Sequence, residues 1–203
     1  MKIARLFACL AALLAFAATA GAQTTPTRIR GTVSAIDGNV ITIATREGET
    51  VKVTMADNWG VAMVMPVTLA DIKESSFVGI ASIKAPDGKL QALEVLVFPD
   101  AMRGSNEGHY PWDLAPESMM TNATVTTVVA TNGGQALTLK YKGDSTQTIY
   151  VRPGVPIVTF GPAPPKSAVK PGTKIFMGAR KAADGSLSAA RIVIGKDGMQ
   201  PPM

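Results

Sequence analysis

The sequence is poor in the residues that carry most metal and covalent chemistry. Its 203 residues include one cysteine, Cys9, and one histidine, His109. A single thiol cannot form an internal disulfide, and cysteine-rich zinc sites are excluded for the same reason. A serine triad would need His109 beside a serine and a carboxylate, and no nucleophile-elbow motif occurs. We therefore expect no thiol, zinc-finger or serine-hydrolase chemistry.

The sequence also lacks an apolar run long enough to span a bilayer. Residues 6–18 form the longest run, which is shorter than the roughly 20 residues that a transmembrane helix needs. A short basic head precedes this run, and Ala20-Gly21-Ala22 follows it with the small-residue pattern of a signal peptidase site. The sequence predicts a signal peptide over residues 1–22, cleavage before Gln23, and a periplasmic or secreted bacterial protein that is not integral to the membrane.

Charge and aromatic residues are scarce as well. The loss of Lys2 and Arg5 with the signal peptide lowers the 20 basic residues to 18, against 15 acidic ones, which leaves a net charge of +3. Aromatic residues make up 5% of the chain, whereas proteins that bind single-stranded nucleic acid stack bases on aromatics in a basic groove. Tyr141, Tyr150 and Arg152 are the nearest approach to such a set. We expect no nucleic-acid partner.

Short alternating segments separated by tight turns are abundant instead. Residues 40–46 and 50–55 place apolar side chains at every second position, which is the period of a β-strand. Asp37-Gly38-Asn39, just before the first of them, is a two-residue hairpin signal. One helical turn is expected over residues 68–73, with Thr68 as its N-cap. The sequence predicts an all-β fold with little helix.

The second half of the chain repeats the order of the first. Asn132-Gly133-Gly134 matches Asp37-Gly38-Asn39, and Gly185 matches Gly88 at an offset of 97 residues. A nearly fixed spacing with gaps only in loops indicates an internal duplication. Three strands, a short helix and two strands are the order of a five-stranded Greek-key barrel of the OB type.

The predicted organisation follows from this repeat. We expect two tandem OB-like barrels that pack together, because each half alone is of a size that is only marginally stable. The predicted bounds are 1–22 for the signal peptide, 28–98 for the first barrel, 99–121 for an ordered connector, 122–198 for the second barrel and 199–203 for a C-terminal tail.

The connector carries the candidate ligand-binding residues. Its large apolar side chains distinguish it from a flexible linker, and long ordered loops are often functional. The candidates are Glu107, His109, Tyr110, Trp112 and Asp113. Under one interpretation they converge on a ligand; under the other, the connector is a strap that buries Trp112, and His109 bonds a backbone carbonyl. One histidine with carboxylates could also hold a metal, although the spacing matches no known ligand motif.

A second candidate site lies in the first half. Trp59, Met63 and Met65 are evenly spaced, so on one strand they would project from the same face. Thioether sulfurs suit Cu(I). The alternative is that the methionines fill the core, as methionines on an apolar face usually do.

Two resemblances add to this reading. Glu107-Gly108-His109-Tyr110-Pro111-Trp112-Asp113-Leu114, followed by Met119-Met120-Thr121-Asn122-Ala123, resembles a block found in exported, uncharacterised bacterial proteins with OB-like barrel domains. That resemblance covers nearly the whole mature chain and implies an architecture and a compartment, but no activity. The segment from Trp59 to Met65 is similar to small OB-barrel copper chaperones of the bacterial periplasm. It has one extra residue before Met63 and lacks the upstream histidine of those chaperones.

Together these features predict a non-enzymatic binding or structural module of the cell envelope. Its ligand or protein partner is not identified by the sequence, and no cofactor is expected. The alternative is a periplasmic protein that binds or handles copper through Trp59, Met63, Met65 and His109. A glycosidase is disfavoured, because two small barrels offer no deep sugar cleft.

Overall fold

The computed structural model describes residues 26–203. Within that range the protein consists of twelve β-strands and four single turns of 3-10 helix, without any α-helix. The strands are β1 (Thr27–Asp37), β2 (Val40–Thr45), β3 (Thr50–Pro66), β4 (Phe77–Lys84), β5 (Leu90–Val97), β6 (Gly108–Pro111), β7 (Met119–Thr131), β8 (Gly134–Tyr141), β9 (Ser145–Val151), β10 (Ile157–Gly161), β11 (Lys174–Lys181) and β12 (Leu187–Gly195). The prediction of an all-β fold is confirmed.

The predicted signal peptide precedes the described part of the chain. The expected signal peptide over residues 1–22 and its cleavage site fall outside the described residues. Among the residues that are described, no helix has the length and apolar character needed to cross a membrane.

The first hairpin shows how local sequence sets the strands. Gly38 has a φ of +56°, a left-handed conformation that a two-residue turn needs and that glycine adopts without strain. In β2, Ile41 and Ile43 are buried, and each faces its register partner in β3, Val53 and Val51 respectively. The apolar side chains at every second position of this strand therefore point into the core, and those between them point away from it.

Five strands close into a barrel, which we call the first ring. Strand β1 pairs antiparallel with β2 and β11, β2 pairs with β3, and β11 pairs with β12. Strand β12 runs parallel to β3 and completes the circuit. Its core includes Ile29, Val33, Ile41, Ile43, Val53, Met55, Ile175, Met177 and Ile192.

Strands β4, β5, β7, β8 and β9 pair in a second circuit, the second ring. Strand β4 lies between β5 and β7, and β8 lies between β7 and β9. A short parallel pairing of β5 with β9, Leu90 opposite Ile149 and Gln91 opposite Tyr150, closes it. Its core includes Val78, Ile80, Val95, Val125, Leu137, Leu139, Ile149 and Val151.

Each ring takes strands from both halves of the sequence. Strands β1–β3 close with β11 and β12, whereas β7–β9 close with β4 and β5. The predicted bounds enclose one barrel within residues 28–98 and the other within 122–198, and the hydrogen-bonded rings cut across these bounds. Alternation and turns specify where strands lie and which faces they bury, but strands with the same pattern can exchange partners.

Strand β10 joins the two rings. It pairs antiparallel with the end of β3 and parallel with β5. A third apolar cluster packs at this junction, with Val64, Leu96, Val158 and Val193 as buried members and Phe98, Phe160 and Phe176 against it. Because β10 bonds to both rings, they form one body.

The expected helical turn is a single turn of 3-10 helix. It spans Leu69–Asp71, and the Thr68 amide and hydroxyl both donate to Asp71 Oδ2 at 2.7 Å. The proline-rich segment in the second half ends in a similar turn at Lys166–Ala168. The connector is ordered, since its strand β6 pairs with β7.

Candidate functional site

A cavity of about 740 Å³ lies between the two rings. The first ring contributes residues of β1, β11 and β12, and the second contributes residues of β4, β5 and β7. Strand β10, the connector, the turn between β8 and β9 and the C-terminal residue Met203 also contribute. Small-molecule sites in proteins have volumes of roughly 300–1,000 Å³. The cavity is therefore large enough for a small organic ligand.

Aromatic and aliphatic side chains form much of its wall. Leu96, Phe98 and Phe160 line it together with Phe176 and Val193. The rings of Phe98 and Phe160 are tilted against one another, with centroids 6.4 Å apart. This wall is the exposed side of the apolar cluster at the β10 junction.

Glu94 is a buried acid on this apolar wall. It lies on β5, and its even spacing from Leu96 and Phe98 places the three residues on one face. Glu94 is 3% exposed, and its Oε2 has no hydrogen-bond partner among residues 26–203. Burial raises the pKa of Glu94 to about 8, although the positive charge of Arg30 acts to lower it. The carboxyl group is therefore protonated at neutral pH and is able to donate a hydrogen bond.

Arg28 and Trp112 form the contact between β1 and the connector at the cavity. The guanidinium carbon of Arg28 lies 3.8 Å from the centroid of the Trp112 ring, which is a close cation–π stack. Tyr110 meets the same tryptophan edge to face, with ring centroids 6.3 Å apart. Burial raises the pKa of Tyr110, and the charge of Arg28 opposes that rise.

Asp113 lies on the other side of this contact and is held by two arginines. Arg30 Nη2 donates to Asp113 Oδ1 at 2.8 Å, and Arg28 Nη1 is 3.6 Å from Asp113 Oδ2. Partial burial acts to raise the pKa of Asp113, but the hydrogen bond and charge of Arg30, helped by Arg28, hold it below its ordinary value. Arg30 Nε also donates to the main-chain oxygen of Met203, which fixes the C-terminal tail against β1.

Two further polar atoms near the cavity are buried without partners in the described part of the chain. They are Trp112 Nε1, a donor, and Asn122 Oδ1, an acceptor. The Nδ2 of Asn122 donates to the carbonyl of Ser105, which orients the amide. Burying a polar group unpaired costs roughly 1–3 kcal/mol. The three atoms belong to residues that line one cavity, Glu94, Trp112 and Asn122.

Two cationic side chains also line the cavity without an ion pair among residues 26–203. They are Lys142, in the turn between β8 and β9, and Arg191, on β12. Glu107, an acid on the same wall, accepts a hydrogen bond from the Lys142 amide at 2.9 Å.

The structure separates the five candidate residues of the connector into two groups. Glu107, Tyr110 and Trp112 line the cavity. Asp113 does not line it, because its carboxylate turns to Arg28 and Arg30. His109 also lies outside it.

His109 is held by a side chain and not by the carbonyl that the strap interpretation expected. Its Nδ1 is 2.9 Å from Thr121 Oγ1, across the β6–β7 pair. The imidazole ring stacks near Tyr141, with centroids 6.0 Å apart. Burial lowers the pKa of His109. The residue thus joins β6 to the second ring.

The candidate copper ligands lie apart from His109. Met63 and Met65 meet beside Gly161 of β10, where an added Cβ would lie 3.3 Å from Met63 Cε and 3.2 Å from Met65 Sδ. The Trp59 ring instead faces Lys166, whose Nζ is 4.9 Å from the ring centroid. No group of three or more His, Cys, Asp or Glu side chains is placed to hold a metal ion in the described residues.

Sequence reasoning missed the residues that neighbouring strands bring to the cavity. Arg28, Asn122 and Arg191 come from three different strands, and no local motif links them. Glu94 left a readable signal, because it is the only charged residue in the apolar segment Leu90–Val97. A charged residue in such a strand is unusual unless it is paired or has a function.

The arrangement is suited to hold a molecule with an apolar body and a polar end. Apolar walls would bury the body, and polar side chains of the lining, such as those of Lys142 and Arg191, would bond the end. Comparison with known proteins adds no assignment, because no family model, curated protein or solved structure matches this chain.

Proposed function

We propose that the protein is a non-enzymatic binding module of the bacterial cell envelope whose ligand occupies the cavity between the two rings. The observation that carries the proposal is Glu94, a carboxyl group 3% exposed, with an unpaired oxygen at the wall of a cavity of about 740 Å³. A purely structural core would be more stable with leucine there, because an unpaired buried polar group is costly.

A binding function is better supported than a catalytic one. The single histidine bonds Thr121 outside the cavity, so it supplies no general base there. The buried acid of the cavity, Glu94, shares its wall with phenylalanine and leucine side chains. Concave apolar pockets with a few convergent polar groups are the usual form of a small-molecule site.

The finer parts of the proposal concern origin and compartment. We propose that the rings are OB-like barrels derived from a duplicated sequence, because each combines three consecutive strands with a two-stranded hairpin. The matched turns of the two halves support the duplication. The amino-terminal sequence supports export to the periplasm.

Binding of an uncharged dye tests the function without assuming the charge of the natural ligand. N-phenyl-1-naphthylamine should bind saturably with one dye per chain and should gain fluorescence. A covalent block then locates the dye. In a Cys9→Ser background, Ser105→Cys labelled with N-benzylmaleimide should lose dye binding, because Ser105 lines the cavity.

The matched control is Ser188→Cys with the same label. Ser188 is an exposed residue of β12 that does not line the cavity. The labelled control should bind the dye like the unmodified protein. Equal binding by both labelled variants, or no saturable binding by the unmodified protein, would contradict the proposal.

Copper handling is a second candidate function, supported by the meeting of Met63 and Met65 beside Gly161. Two thioether ligands suit Cu(I), although the nearby Lys166 ammonium opposes an added cation at Trp59. Cu(I) titration against a chromogenic chelator tests it. Tight binding of one Cu(I) per chain that is lost in Met63→Leu/Met65→Leu and kept in Met199→Leu would support copper binding. Failure of the protein to compete with the chelator for Cu(I) would contradict it.

A further inference from the structure

We infer that the ligand of this cavity is an amphipathic monocarboxylate, an acid with an apolar body and a single anionic end. The inference rests on the proposed binding function and specifies its ligand class. It comes from the charges, the aromatic contacts and the unpaired donors around the cavity.

The charge balance favours an anion. Lys142 and Arg191 line the cavity and form no ion pair within residues 26–203. Asp113 binds Arg28 and Arg30. Glu107 accepts a hydrogen bond from the neutral Lys142 amide, which does not cancel its charge, so three lining cations, Arg28, Lys142 and Arg191, face the carboxylate of Glu107. The available charge at the cavity is therefore positive, and a carboxylate would neutralise it.

The aromatic faces argue against a cationic ligand. Cation–π recognition needs a free ring face within about 6 Å of the ligand's charge. Arg28 already covers Trp112 at 3.8 Å, and Arg30 lies 5.3 Å from the centroid of Phe176. An ammonium group at either of these two rings would meet a guanidinium group that already lies over the ring.

The unpaired donors match a carboxylate. Trp112 Nε1 is a buried donor without a partner in the described chain. The Glu94 carboxyl, protonated because burial raises its pKa to about 8, is a second donor that can share its proton with an anionic oxygen. Arg191 and Lys142 line the same cavity and would supply positive charge for the carboxylate.

The apolar wall accounts for the rest of the ligand. Leu96, Phe98, Phe160 and Val193 form a continuous apolar surface beyond Glu94. Burial of each methylene group of an alkyl chain there should tighten binding about fourfold. A medium-length chain would thus bind measurably even though its head group is small.

Competition against N-phenyl-1-naphthylamine tests the class with three ligands that differ only in the head group: decanoate, decanol and decylammonium. We expect decanoate to displace the dye at a concentration about tenfold lower than either of the others, as for one charge-assisted hydrogen bond. Equal potency of decanoate and decanol, a preference for decylammonium, or failure of all three to displace the bound dye would each overturn the inference. The proposed binding function would survive those outcomes, because the dye itself is bound. If the protein did not bind the dye at all, both the proposed binding function and the inferred ligand class would be contradicted.

The variant Arg191→Gln tests whether Arg191 binds the carboxylate head group of the ligand. The residue is exposed, so the variant should fold, which circular dichroism checks. Decanoate should bind about tenfold more weakly, whereas decanol should be unaffected. Arg180→Gln is the matched control, since Arg180 is an exposed arginine of β11 outside the cavity. An equal decanoate affinity in the two variants would contradict recognition of the anion at Arg191.

Discussion

The guanidinium of Arg28 stacks on the indole of Trp112 at 3.8 Å. Arg28 belongs to β1 of the first ring, whereas Trp112 belongs to the connector whose strand β6 pairs with the second ring. This stacked pair, together with the bonds from Arg28 and Arg30 to Asp113, joins the first ring to the connector, and Arg28 and Trp112 also line the cavity. The connector contacts both rings, and its half-buried Trp112 lines the cavity, so the strap and the binding loop both stay predictions.

Truncation of this tryptophan should destabilise the protein. We expect Trp112→Ala to lower the free energy of unfolding by about 2–3 kcal/mol, less than the roughly 3–5 kcal/mol of a fully buried aromatic, because the ring is partly exposed. Urea denaturation measures the change. Trp112→Phe keeps a ring beneath Arg28 and should cost less than half as much. A loss below about 0.5 kcal/mol in the alanine variant would show that the strap does not hold the rings.

Glu94 should make stability depend on pH. Its pKa is about 4.5 in an ordinary environment and about 8 in the folded protein. Between those values the folded state binds a proton that the unfolded state has lost, so stability is greatest below pH 4.5 and falls as pH rises towards 8. We expect Glu94→Gln to remove this fall, so that its stability relative to the unmodified protein rises by about 1.4 kcal/mol per pH unit.

Denaturation series at pH 5, 6, 7 and 8 provide the measurement. The charged groups that line the cavity with Glu94 are Arg28, Glu107, Lys142 and Arg191, with Tyr110 as a further titratable group, and Arg30 acts on Glu94 from β1. None of them is altered in the variant, so the difference isolates Glu94. Parallel stability curves for the two proteins would show that Glu94 is ionised throughout.

His109 should have only a structural role. We expect His109→Ala to cost about 1 kcal/mol, the value of one hydrogen bond, because its Nδ1 contacts Thr121 alone. Binding of N-phenyl-1-naphthylamine should not change, since the residue lies outside the cavity. A fluorescence titration that shows weaker binding at unchanged stability would contradict this assignment.

The exchange of strands between the halves can be tested with disulfides. In the structure Thr27 is opposite Ala179, so Thr27→Cys/Ala179→Cys in a Cys9→Ser background should oxidise and lose two hydrogens by intact mass. If each half formed its own barrel, the offset of 97 residues would place Ser82 opposite Thr27 instead. We therefore expect Thr27→Cys/Ser82→Cys to remain reduced, and the reverse result would refute the exchange.

The positions of the strands could be predicted from the local sequence, but the pairing of the strands could not. Gly38 marks the first turn, and the buried Ile41 and Ile43 follow the alternation of the sequence. Leu90 and Leu187 each begin a strand after an Asp-Gly turn, so the two strands carry nearly the same signal. Which one closes on β3 depends on packing across the whole molecule, which a period of two does not encode.

The candidate site was predictable only in part for the same reason. Tyr110 and Trp112 are aromatic residues in a long connector, so the sequence alone identifies them as candidate binding residues. Arg28 and Arg191 become neighbours of that loop only because β1 and β12 belong to the same ring. A site built from distant strands has no spacing for a sequence motif to show.

The most direct test of the central claim uses the two tryptophans as reporters of position. Trp112 lines the cavity, whereas Trp59 lies on β3 beside Lys166. Their indole N–H groups give two signals in a nitrogen–proton correlation spectrum, which Trp59→Phe assigns. On addition of decanoate, we expect the Trp112 signal to shift saturably while the Trp59 signal stays in place. A Trp112 signal that does not move, or equal shifts of both signals, would contradict a ligand in this cavity.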